Sequence, residues 1–155
     1  QAIEQAEAVR ASLARLLPEQ AGGFDAEFEK LRGELLDLDR RLEKVGQRLA
    51  RAPLVASHPI YQYWARRYDF HIASVLWEPE TVPDDEAVKE LQTVLSKHAA
   101  KWMIWEGEPA AESVAKLAAL GIQSVVFDPC GNRPESGDFL SVMRANVAAF
   151  EVSFP

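Results

Sequence analysis

Ile3, Ala6, Val9, Leu13 and Leu16 recur every three or four residues and predict a helix over residues 1–16 with one apolar face. Pro18 and the pair Gly22-Gly23 are expected to break it. A longer periodic run follows. Phe24, Phe28, Leu31, Leu35, Leu38, Leu42, Val45 and Leu49 alternate spacings of four and three without a miss, which predicts one helix over 24–51. At about 1.5 Å per residue such a helix is roughly 40 Å long. Heptad spacing is also what a coiled coil uses, so a dimerisation module built on this helix is one reading. Because the helix runs directly into a segment of different grammar, the preferred reading is a long spine packed along an α/β domain.

The pattern changes at Pro53. Residues 53–57, 70–77, 102–105 and 122–127 are short apolar runs of strand length, and helical stretches lie between them at 60–68, 84–98 and 110–120. A last helix is expected over 138–150. Asp84, after Pro83, suits an N-cap, and Gly121 suits a helix end. Strands alternating with helices imply right-handed βαβ units around a parallel sheet. The expected fold is therefore α/β, a four-stranded parallel sheet of order 2-1-3-4 flanked by helices. A helical segment, 1–51, precedes the α/β segment, 52–155.

Open α/β sheets bind ligands beyond the carboxyl ends of their strands. Here the first strand is followed by His58-Pro59, the second by Glu78-Pro79-Glu80, the third by Glu106-Gly107-Glu108 and the fourth by Asp128-Pro129. Every strand thus delivers an ionisable, metal-competent side chain to one edge. One imidazole among carboxylates suits a divalent transition metal. His58, Glu106 and Asp128 are the candidate ligands, with Glu106 also suited to orienting an imidazole. Each has a plainer reading: His58 as a hydrogen-bonded structural residue, Asp128 as a turn former, and Glu78, Glu80 and Glu108 as solvated loop residues. His71, inside a strand, and His98, at a helix end, read as structural. An α/β enzyme half using Glu106 or Asp128 as general base would need a nucleophile or cofactor motif. No CxxC, HExxH, GxSxG or Walker pattern occurs. The expectation is that the protein is not an enzyme.

Composition narrows the partners. A net charge of −7 over 155 residues argues against nucleic acid and anionic membrane surfaces. No apolar run approaches the roughly 18 residues that span a bilayer. The lone Cys130 cannot form an internal disulfide. The chain opens at Gln1-Ala2-Ile3-Glu4, inside an apparent helix and without Met, and reads as a piece of a longer protein.

Four segments, in order, resemble the metal-specific solute-binding proteins of zinc and manganese ABC importers. They are LVASHPIYQYWARRYDF after the long helix, LWEPE before a helix, MIWEGEP, and VVFDPCGN with GDFLSVMRANV, and together they cover most of residues 24–150. The resemblance implies a carboxy-terminal lobe plus the linking helix of a two-lobe receptor, with the metal held between lobes. It implies that His58 and Asp128 are this lobe's two ligands, with Glu106 close by. Zinc is the implied ion, since a His at the first position is similar to the zinc-type members; manganese is the alternative. It further implies an ABC permease as partner, a periplasmic or extracytoplasmic location, and an amino-terminal lobe that this chain lacks. ASHPIYQY departs from the family's usual "FHdaY", with Pro59 and Ile60 in place of an acidic-small pair. Without its first lobe the chain is expected to bind metal weakly, and to expose Tyr61, Trp64, Trp77 and Trp105 as an aromatic patch that drives self-association.

Overall fold

The computed structural model describes residues 1–134 and 136–155. Helix α1 spans Ala2–Leu16, and a short 3-10 turn, Pro18–Gln20, leads into α2, Ala21–Leu49. Strand β1 (Pro53–Ala56), α3 (Gln62–Tyr68) and β2 (His71–Ser74) follow. Then come α4 (Asp85–Lys97), β3 (Trp102–Trp105), α5 (Ala111–Ala119), β4 (Gln123–Val126) and α6 (Phe139–Ser153). Among the described residues no helix is long and apolar enough to cross a membrane.

The chain divides into two compact units, Gln1–Arg41 and Leu42–Pro155. In the first, α1 lies against the early turns of α2. Arg10 reaches across to Asp25 at 3.2 Å and sits over the Phe28 ring. No residue of α1 is buried. The chain reverses through the 3-10 turn with Pro18 at its start, where proline's missing N–H costs nothing. Gly22-Gly23 therefore does not break the helix as expected but falls in the first turn of α2.

The second unit contains the sheet, all parallel and in the order β2-β1-β3-β4. This is the expected α/β architecture. Both faces are covered, as a parallel sheet requires. On one face Val55, Met103 and Trp105 pack with Leu91 of α4 and Leu117 of α5, joined by Val75, Trp77 and Ile122. On the other, Trp64 of α3 and Phe150 of α6 stack with Phe70 and Phe127, and Trp102 meets Phe154. The last turns of α2 contribute the buried Leu42 and Val45.

Caps mark several of the boundaries. Asp84 accepts from Ala87 N at 2.9 Å, which starts α4 as expected. Gly121 takes φ +74° just past the end of α5, a left-handed conformation that favours glycine. Asp138 and Ser141 form a reciprocal capping box at the start of α6. Gly46 is needed for a different reason: a Cβ there would lie 2.5 Å from the Tyr68 carbonyl oxygen.

The expected aromatic patch does not form. Tyr61, Trp77 and Trp105 are only 5%, 4% and 0% exposed. Trp64 is partly buried in the Phe70–Phe127–Phe150 cluster. These rings fill the two faces of the sheet rather than one open edge.

Candidate metal centre

Hydrogen bonds of the sheet run one residue past the ends of β1 and β4. Ser57 N donates to Ile104 O, Ser57 O accepts from Trp77 N, and Phe127 N donates to Trp105 O. Ser57 is fully buried and pinned from both sides. His58 therefore emerges at the carboxyl edge from a fixed backbone. Its side chain keeps 15% of its exposure.

Glu106 leaves β3 at the same edge, and its Oε1 lies 3.3 Å from His58 Nδ1. That approach is off the line of a ring N–H, so Nδ1 is a buried nitrogen with no hydrogen bond. On the other side of the ring, His58 Nε2 lies 3.3 Å from Oε1 of Glu78, which follows β2. His58, Glu78 and Glu106 each offer one donor atom, and these atoms all lie within 4.8 Å of one another. Glu106 is 27% exposed and Glu78 67%.

Asp128 follows β4 and sits at the same edge, but outside that close cluster. Strands about 4.8 Å apart put β4 two spacings, roughly 10 Å, from β1. Its surroundings are well ordered. Asn146 of α6, 5% exposed, grips the Asp128 backbone twice: Asp128 N donates to Asn146 Oδ1 at 3.1 Å, and Asn146 Nδ2 donates to Asp128 O at 2.7 Å. Asp128 Oδ1 accepts from Cys130 N at 2.7 Å, closing a turn in which Cys130 takes φ +54°. The turn engages one carboxylate oxygen, so Asp128 is a turn former and is still equipped to be a ligand.

Tyr61 lies within electrostatic reach of both Glu106 and Asp128. Its hydroxyl donates to Phe127 O at 2.7 Å. Burial holds the phenol well above its ordinary range, and the charges of Glu106 and Asp128 push it further the same way. The hydroxyl stays protonated and fastens the start of α3 to the end of β4. Glu80 and Glu108 are exposed loop residues. His98 Nε2 pairs with Leu54 O at 2.7 Å, and its ring meets His71 edge-on, far from the carboxyl edge.

Three residues of this edge are not singled out as ligands or braces by the sequence pattern. Glu78 carried the right signal, a carboxylate just past a strand, but its closeness to His58 depends on β2 being the neighbour of β1. Asn146 interrupts the apolar stripe Met143, Val147, Phe150, and a polar residue on such a stripe marks a buried hydrogen-bonding role. Tyr61 was legible only as an aromatic.

The fold is shared with solved structures. The metal-dependent lipoprotein YcdH from Bacillus subtilis superimposes with a TM-score of 0.85 at 16% identity, over 99% of this chain and 61% of its own. The Zn(II)-bound ZnuA-like domain of Streptococcus pneumoniae AdcA gives 0.84 at 19% identity, over 99% and 60%. The laminin-binding protein Lbp of Streptococcus pyogenes gives 0.71 at 17%, over 95% and 58%. The chain thus spans about three fifths of each of these proteins. No curated protein sequence matches it. Residues 1–152 match the family of the periplasmic component A of zinc-uptake complexes, and the chain belongs to that family.

Proposed function

We propose that this chain is the metal-holding part of a solute receptor for an ABC importer, which captures a divalent transition ion and hands it to the membrane permease. His58 and Asp128 are the ligands, with Glu106 beside His58, and zinc is the ion. The observation that carries this reading is the carboxyl edge of the sheet. There the His58 ring has the carboxylates of Glu78 and Glu106 each at 3.3 Å, and Asp128 leaves the same edge two strand spacings away. An imidazole beside carboxylates suits zinc better than the harder manganese. The receptor works outside the cytoplasmic membrane, as the family's periplasmic description implies, and binds its cargo without making or breaking a bond.

A closed zinc site needs four donors in a tetrahedron. In the two-lobe plan that the family resemblance implies, the other lobe supplies the rest, and the ion is shut in between. Isothermal titration with zinc tests the assignment. His58→Ala and Asp128→Ala should each weaken binding about tenfold or more. Binding unchanged in both variants would remove these residues from the site.

A further inference from the structure

We infer that Glu78 is a ligand of the captured cation, supplying a carboxylate on the β2 side of His58; this rests on the receptor reading above. In the order β2-β1-β3-β4 the loops after β2 and β3 flank the end of β1, where His58 emerges. The two loops are tied to each other across it. Ala110 N donates to Pro79 O at 2.8 Å, and Lys116 Nζ of α5 donates to Pro83 O at 2.7 Å. Gly107 lies against the Pro79 ring. Thr81 N closes a turn onto Glu78 O at 3.1 Å. Glu78 thus has an exposed side chain on a fixed backbone, and its carboxylate is aimed at an imidazole.

The spacing leaves room for a shared ion. Nε2 and Oε1 stand 3.3 Å apart, and bonds of about 2.0–2.1 Å to a tetrahedral ion set neighbouring donors about 3.3–3.4 Å apart. The ring also has the right division of labour. A neutral imidazole ligates through one nitrogen and needs an acceptor for the N–H on the other. The less exposed Glu106 stands at the buried Nδ1, which has no hydrogen bond, and a small rotation of its carboxylate would align it. Nε2 is left to the cation, together with Glu78. Because Glu78 is the most exposed of the three, it is the donor an arriving ion meets first.

The test is a zinc chloride titration of the full chain, from micromolar to millimolar, with the His58 ring nitrogens followed by NMR and His71 and His98 as internal references. Glu78→Gln keeps the size of an exposed side chain and so leaves folding intact. It should weaken zinc binding at His58 about tenfold or more. Glu80→Gln, which removes the same charge two residues away, should change it less than twofold. If His58 in Glu78→Gln titrates as in the unmodified chain, the inference about Glu78 is overturned and the receptor reading stands. If His58 in the unmodified chain does not respond to zinc at all, both fall.

Discussion

Replacing Asn146 by Ala should destabilise the sheet-bearing unit by about 2–4 kcal/mol. The side chain is buried and makes two hydrogen bonds to the Asp128 backbone, one as acceptor at 3.1 Å and one as donor at 2.7 Å. Each such bond contributes about 1 kcal/mol net, and a backbone group left unpaired in a part-buried place costs about 1–3 kcal/mol. Water can reach some of the freed groups, so the full sum is not expected. Asn146→Asp has nearly the same shape but turns the donor into an acceptor facing the Asp128 carbonyl oxygen, and should be at least as damaging as Ala. All four tryptophans lie within residues 42–155, so fluorescence in a urea titration reports on this unit. The expected result is a lower midpoint with an unchanged slope. A second readout separates positioning from stability. If Asn146 acts on zinc binding through Asp128, Asn146→Ala should weaken zinc in the unmodified chain and add nothing in an Asp128→Ala background. A loss of less than about 0.5 kcal/mol, the size of an ordinary surface substitution, would refute the reasoning.

Two other substitutions follow from the packing. Gly46→Ala would drive a Cβ into the Tyr68 carbonyl and should cost about 1–3 kcal/mol. Gly33→Ala meets nothing within 4 Å and should instead stabilise by about 0.5–1 kcal/mol; thermal melts of the pair check both signs. Tyr61→Phe tests the alkaline limb. Burial holds the folded phenol's proton above the ordinary value of about 10, so the unfolded chain ionises first, and stability present below that value is lost as pH rises past it. Denaturation midpoints between neutral and strongly alkaline pH should fall less steeply in Tyr61→Phe than in the unmodified chain; parallel curves would show that the hydroxyl is not the group responsible.

Where local pattern and tertiary demand agree, the sequence was readable. Trp102–Trp105 is apolar on both faces, as a central parallel strand must be, and its expected bounds match the structure. Asp84 caps α4 because a short acceptor before an amphipathic run has few better uses. The parallel sheet follows from the alternation of strands and helices. Boundaries failed where context decides. Gly22-Gly23 is a breaker by propensity, but the 3-10 turn before it had already made the reversal. The run 70–77 reads as one strand, yet only His71–Ser74 is regular, while Val75 and Trp77 keep bonds to Ala56 and Ser57 as the chain bends away. The four aromatics read as a surface because nothing local says which way a ring points. Among the site residues, the edge each would occupy was legible from its place after a strand. What it would touch was not, because the approach of Glu78 to His58 is a product of strand adjacency and loop bracing.

Ser57, fully buried and bonded on both sides, draws a sharp border between what folds the protein and what it can hold. On one side every atom is committed to packing, and a change is felt throughout the sheet. One residue further on, a side chain can be exchanged while the strand beneath it stays as it was. Side-chain identity at positions 58, 78 and 106 is thus a nearly independent variable, adjustable one residue at a time. Under the proposed receptor role, such an edge can move from softer to harder ions by swapping an imidazole for a carboxylate, without passing through an unfolded ancestor.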